Sequence, residues 1–186
     1  LNKYHKQIEN ISRDIIKSFN IKNGPIYFQM LIGNSGIKVN EIACRIGGAY
    51  EADFMPLITD VDILAMVINT SLGKTINMNK LRRYSLLNND NWLSVQLFFA
   101  NEGKITDIKN LDMIRKLDDV VTLKVNYKKG DIIPKIENAT ARAGYFIVRG
   151  NNKRELKCNI KRVYDHLVIH DENNKNLVLR KAGEIL

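Results

Sequence analysis

With 186 residues, 45% of them hydrophobic, the chain can bury a core and is sized for one domain or two small lobes sharing an interface. No apolar run approaches the roughly 20 residues a membrane helix needs, and Leu1-Asn2-Lys3-Tyr4-His5 has neither the apolar stretch nor the cleavage site of a signal peptide, so a cytoplasmic protein is expected. A net charge of +9 raises nucleic acid as a partner, but the basic residues stand singly or in pairs among acids (Arg82-Arg83, Lys128-Lys129, Lys161-Arg162), the pattern of a solvated surface.

From Lys3 to Phe19, Ile8, Ile11, Ile15 and Phe19 recur at steps of three and four, which puts them on one face of an amphipathic helix. Asn23-Gly24-Pro25 is turn chemistry, and the run Ile26 to Ile32 after it reads as a largely buried strand. Gly33-Asn34-Ser35-Gly36 closes a hairpin, and Ile37 to Ile42 returns as its antiparallel partner. The glycine-containing loop 45–50 leads into a helical stretch reaching Leu72, with Asp60 as N-cap and Gly73 as stop.

Residues 74–91 lack periodicity and are rich in Asn and Lys, which divides the chain into lobes 1–78 and 79–186. The charge is unequal between them, with 8 basic against 7 acidic residues in the first and 21 against 13 in the second. The second lobe reads mainly as β: Leu93 to Ala100, Ile105 to Ile108, Val120 to Tyr127, Tyr145 to Val148 and Leu177 to Leu179. Asn151 or Asn152 caps a helix in which Leu156, Ile160 and Val163 share a face. The fold class is α+β, with an antiparallel sheet in each lobe.

Two polar side chains stand out in the first hairpin. If the turn centres near Ser35, Gln29 and Glu41 lie opposite each other and face the same side. An amide oxygen and a carboxylate are hard donors suited to Mg²⁺ shared with substrate phosphates. Arg45 follows where the strand gives way to a loop, from which a guanidinium can reach the same phosphate, and Gly47 and Gly48 let a backbone approach a ligand closely. By spacing alone, an ion pair between Glu41 and Arg45 with the glycines forming a plain turn fits equally well.

The stretch Asn23-Gly24-Pro25-Ile26-Tyr27-Phe28-Gln29, followed by Glu41-Ile42-Ala43-Cys44-Arg45-Ile46-Gly47-Gly48, resembles the ATP-grasp signature, in which a Gly-Pro strand ending in Glu or Gln pairs with a strand bearing Glu-x-Asn-x-Arg. The resemblance implies the C-terminal lobe of an ATP-grasp fold followed by a small, mainly β subdomain. It further implies that Gln29 and Glu41 hold magnesium, or manganese in its place, against the phosphates of ATP. Arg45 becomes the catalytic arginine that steadies an acyl phosphate or tetrahedral intermediate, and Gly47 and Gly48 become phosphate or substrate contacts. Ala43 stands where the pattern has asparagine, which removes a third contact, and Gln29 resembles the carbamoyl phosphate synthetase branch. Segments 95–108, 125–131 and 142–150 are similar to the C-terminal subdomain of L-amino-acid ligases, and Arg142 among them is read chiefly as a surface pairing residue.

The function implied is that of a C-terminal piece of a carboxylate–amine ligase, inactive by itself, which as a whole enzyme joins a small-molecule carboxylate and an amine, as a monomer or a homodimer. A carboxylase or a carbamoyl-phosphate-type enzyme is the alternative within the family, and a basic nucleic-acid-binding module the alternative outside it. Cys44 is expected as a small buried hydrophobe, Cys158 as a second reduced cysteine, and Trp92 as a core residue; His5, His166 and His170 have no metal-ligand spacing.

Overall fold

The computed structural model describes residues 2–84 and 92–180. The chain divides into two compact units, Leu1–Asn89 and Asp90–Leu186. Part of the Asn- and Lys-rich stretch expected between the lobes, residues 85–91, lies outside the described residues.

In the first unit a short 3₁₀ turn, Asn2–Tyr4, leads into α1 (His5–Ser18), and Ile8, Ile11, Ile15 and Ile16 are its half-buried apolar positions, with His5 and Ser12 half-buried beside them. Phe19, expected to extend that stripe, is the C-cap and is 68% exposed. The strands β1 (Tyr27–Gly33) and β2 (Gly36–Ala43) then form a two-stranded antiparallel ribbon. Gly36 closes the turn at φ 92°, a left-handed value that a side chain would strain.

Two helices follow where one was expected: α2 (Glu51–Thr59) and α3 (Ile63–Ser71), bent by 111° relative to each other. Asp60 is not an N-cap. It takes a left-handed φ of 55° as the C-cap of α2, and Asp62 instead caps α3, its carboxylate accepting from the backbone N–H of Ala65 at 2.8 Å. Both aspartates carry the capping side chain, but Asp60 is left-handed and only Asp62, at φ −78° and ψ 89°, has the non-helical, negative-φ backbone that lets its carboxylate reach the first turn of α3. Gly73, at φ 70°, ends α3 in a Schellman arrangement, with Gly73 N–H on Thr70 O at 3.0 Å and Lys74 N–H on Asn69 O at 2.9 Å. A single helical turn, α4 (Asn79–Arg83), completes the described part, where Lys80 pairs with Asp60 at 2.5 Å. Among the described residues of this unit only Val61 is buried.

The second unit has a closed apolar core. Its main sheet has the order β3-β8-β6, formed by β3 (Trp92–Phe98), β8 (Gly144–Gly150) and β6 (Val120–Val125). The central strand β8 is buried from Gly144 to Val148, as a strand paired on both edges requires. Gly144 is indispensable there: a Cβ would stand 2.2 Å from Lys124 O and 2.6 Å from the Phe98 ring.

Two small ribbons are separate two-stranded sheets: β4 (Gly103–Lys104) with β7 (Ile132–Ile133), and β5 (Asp107–Lys109) with β9 (Val168–His170). The short α5 (Leu111–Arg115) had no counterpart in the sequence reading. The long α6 (Lys153–His166) buries Leu156, Ile160 and Val163 as expected, and Phe146 meets Tyr164 edge-on at 5.1 Å.

Asn152 is the cap of α6, accepting from Glu155 N–H at 2.9 Å, while Glu155 reaches back to the Asn151 N–H at 3.1 Å. Residues 177–179 contribute a bridge between Val178 and Ala100 rather than a strand. Trp92, at the start of β3, is 41% exposed rather than part of the core. Among the described residues no single helix is long and apolar enough to cross a membrane.

Candidate functional site

The β1–β2 ribbon has two chemically different faces, and one irregularity creates them. Ile32 pairs with Ile37, Leu31 with Lys38 and Met30 with Val39; the register then shifts by one, so that Gln29 pairs with Glu41, Phe28 with Ile42 and Tyr27 with Ala43. Asn40 is the extra residue, a β-bulge opposite Gln29.

Partners share a face and faces alternate along each strand, so Phe28, Met30, Ile32, Ile37, Val39 and Ile42 form a wholly apolar side. Tyr27, Gln29, Leu31, Lys38, Glu41 and Ala43 share the other, which carries all the polar members of the paired positions. In a ladder without the bulge, the two-residue turn at Asn34-Ser35 would set Gln29 against Asn40 and send Glu41 to the apolar side. Gln29 and Glu41 are therefore paired as the sequence reading requires, although the turn centres between Asn34 and Ser35 and the bulge supplies the remaining residue.

The polar face is open to solvent: Gln29, Lys38, Asn40 and Glu41 are all exposed. Gln29 Oε1 accepts from Asn40 Nδ2 at 2.6 Å. Arg45 lies just past the end of β2, with Nη1 donating to Ile46 O at 2.9 Å, Nη2 3.9 Å from Glu41 Oε1, and the guanidinium over the Tyr27 ring at 5.9 Å. Both partners of that ion pair are half exposed and at the outer limit of contact, so the pair contributes little stability. Cys44 is exposed rather than buried, because β2 ends at Ala43 and the next residues bend away from the ladder.

The loop after Arg45 is held by a residue the sequence reading did not single out. Glu51, the first residue of α2, accepts the Ala49 N–H through Oε2 at 2.8 Å and fills the space beside Gly47, where a Cβ would lie 2.2 Å from Oε1. A Cβ on Gly48 would meet nothing within 4 Å. Tyr50, between them, takes a left-handed φ of 66° as the N-cap of α2.

Asn40 could have been found from the spacing Ile37-x-Val39-x-x-Ile42, which has one residue too many for strict alternation. Arg142 lies elsewhere, in the second unit, with its Nε donating to Ala139 O at 3.0 Å.

Residues 96–172 match the family described as L-amino acid ligase C-terminal domain 2. No curated protein matches the sequence. Among solved structures, phosphoribosylglycinamide synthetase from Anaerococcus prevotii superposes with a TM-score of 0.77 at 16% identity, over 92% of this chain and 43% of that one. An L-amino acid ligase from Bacillus licheniformis gives 0.74 at 14% identity, over 93% and 42%. The chain has the fold of the C-terminal part of an ATP-grasp carboxylate–amine ligase.

A third ATP-grasp neighbour, the β,γ-ATP complex of biotin carboxylase from Campylobacter jejuni, superposes at 0.66 with 14% identity, over 99% of this chain and 38% of that one. The chain thus spans less than half the length of these structures.

The donor set on the β1–β2 ribbon could hold a magnesium ion that it shares with phosphates. Gln29 and Glu41 offer an amide oxygen and a carboxylate on one exposed face, the one or two protein oxygens such an ion takes when phosphate and water complete its shell. Among the described residues no group of three or more His, Cys, Asp or Glu could form a cage of its own. A groove of about 630 Å³ in the first unit is lined by Met55, Met66, Val67 and Met78 and touches none of the candidate residues. Gln29, Glu41 and Arg45 are exposed on the first unit.

Proposed function

We propose that the protein belongs to an ATP-dependent, cytoplasmic ligase that joins a small-molecule carboxylate to an amine. The observation that carries this reading is the pairing of Gln29 with Glu41 on an exposed polar face, with Arg45 at its end and the Gly47-Gly48 loop beside it. The fold shared with an L-amino acid ligase supports the same class.

A carboxylate oxygen attacks the γ-phosphorus of ATP, the bond to the bridging oxygen breaks, and ADP leaves. The amine nitrogen then attacks the acyl carbon, loses a proton, and the acyl–oxygen bond breaks to release phosphate. Magnesium, when bound, neutralises charge on the phosphates and aligns them.

The chain's own residues divide the remaining work. Gln29 and Glu41 present their oxygens on the phosphate side of the ribbon. The guanidinium of Arg45 meets the negative charge that develops on the acyl phosphate and on the tetrahedral intermediate, a contribution worth about 10²–10³ in rate where one such donor is removed. Lys38, two residues along the same face, adds positive potential near the phosphates. The backbone at Gly48, with open space where a side chain would be, lets substrate approach closely.

The route is tested by isotope transfer. In the full-length protein, turnover of a carboxylate labelled with ¹⁸O at both oxygens should place one ¹⁸O in the released phosphate, read by ³¹P NMR. Product formed with unlabelled phosphate would exclude an acyl phosphate.

A further inference from the structure

We propose that Asn40 is a positioning residue of the metal site, holding the Gln29 carboxamide with its oxygen turned toward the cation. This rests on the assignment of Gln29 and Glu41 as magnesium ligands.

The inference comes from the bulge and from the identity of Gln29. A carboxylate at position 29 would present oxygen whichever way it rotated. A carboxamide would not: half a turn about its last bond replaces the oxygen with an NH₂ group, which repels a cation. A glutamine ligand therefore needs a donor that fixes its orientation.

Asn40 is that donor. Its Nδ2 gives a hydrogen bond to Gln29 Oε1 at 2.6 Å, and it reaches the oxygen because the bulge sets two residues, Asn40 and Glu41, against Gln29 alone. A carbonyl oxygen has two lone pairs, so the bond to Asn40 leaves one for a metal. A regular ladder would allow a single partner opposite Gln29, either the ligand Glu41 or the orienting Asn40. The extra residue provides both.

The test uses Mn²⁺ as the probe. The Mn²⁺·ATP complex is titrated with the full-length protein, and protein-bound metal is told apart from free Mn²⁺·ATP by the enhancement of water proton relaxation, so turnover is not needed. Asn40→Ala, and Asn40→Leu, which keeps the size but has no donor, should each weaken Mn²⁺ binding about tenfold, the scale of losing an outer-shell contact to a metal ligand.

Two combinations separate orientation from general damage. Adding Asn40→Ala to Gln29→Ala should cost nothing further, and adding it to Gln29→Glu should cost less than about threefold, because both ends of a carboxylate are oxygen. Glu41→Gln tests the underlying assignment. If Glu41→Gln abolishes Mn²⁺ binding while both Asn40 variants bind as the wild type does, the role of Asn40 is overturned and the metal site stands. If Glu41→Gln leaves binding intact, the metal site itself is misassigned and the role of Asn40 falls with it. Equal losses from Asn40→Ala in the wild-type and Gln29→Glu backgrounds would also overturn the proposal.

Discussion

Gln29 and Glu41 face each other across the β1–β2 ribbon because Asn40 is accommodated as a bulge between them and the turn. That one extra residue sorts Phe28, Met30, Ile32, Ile37, Val39 and Ile42 onto one side and the oxygen donors onto the other. A side-chain period of two leaves no intermediate arrangement, so the bulge decides whether Glu41 shares the face of Gln29 or the apolar face.

The two glycines after Arg45 separate by their surroundings. Gly47→Ala pushes against the Glu51 carboxylate, the mobile end of a side chain, so Glu51 swings away and gives up its bond to Ala49. A loss of about 1 kcal/mol in urea unfolding is expected, the worth of one hydrogen bond. Gly48→Ala meets no neighbour and should leave stability unchanged while raising the KM for ATP. An unaltered KM would remove Gly48 from the ligand contacts.

Gly144→Ala is a different matter, because the atoms in the way are a backbone carbonyl and the ring of a fully buried Phe98. Neither can move without opening the β6–β8 ladder. The substitution should cost more than about 3 kcal/mol and yield little folded protein, as judged by circular dichroism and recovery in the soluble fraction. A variant as stable as the wild type would contradict the packing of this sheet.

Tyr164 gives the second unit a dependence on alkaline pH. Its hydroxyl is buried without a hydrogen-bond partner among the described residues, and burial pushes its pKa up to about 12 from the ordinary value near 10. The folded state favours the protonated phenol, so this contribution to stability is fully present below pH 10 and is lost as pH rises from 10 through about 12. Tyr164→Phe removes that slope and an unpaired buried hydroxyl together. Unfolding free energies measured at about pH 9 and about pH 11 should diverge for the wild type and run closer together for the variant; parallel slopes would contradict the assignment.

The paired strands, the amphipathic α1 and α6 and the polar residues of the ribbon were legible in the sequence because each rests on a local pattern: a Gly-bounded turn, a stripe at helical spacing, or an Asn cap. Other features depend on what a pattern cannot carry. Symmetry about Ser35 brought Gln29 and Glu41 together for a reason the structure replaces, since the turn sits half a residue earlier and Asn40 makes up the difference.

Asp60 and Asp62 are equivalent as cap chemistry, and only the left-handed backbone at Asp60 tells them apart. The five residues of α5 are too few to show a period. Cys44 was read from its apolar neighbours, but the strand ends one residue before it. Glu51 went unnoticed because its role lies in bonding back to a loop that its own sequence context does not mark.

The assignment of the ribbon as the phosphate wall is tested most directly by substrate-dependent ADP release from the full-length protein carrying Glu41→Gln or Arg45→Ala. Glu41→Gln keeps the shape and removes the charge, and Arg45→Ala removes the guanidinium together with its exposed bond to Ile46 O. Both should reduce ADP release to background at an unchanged melting temperature. Near-normal release from either variant would contradict the role given to that residue.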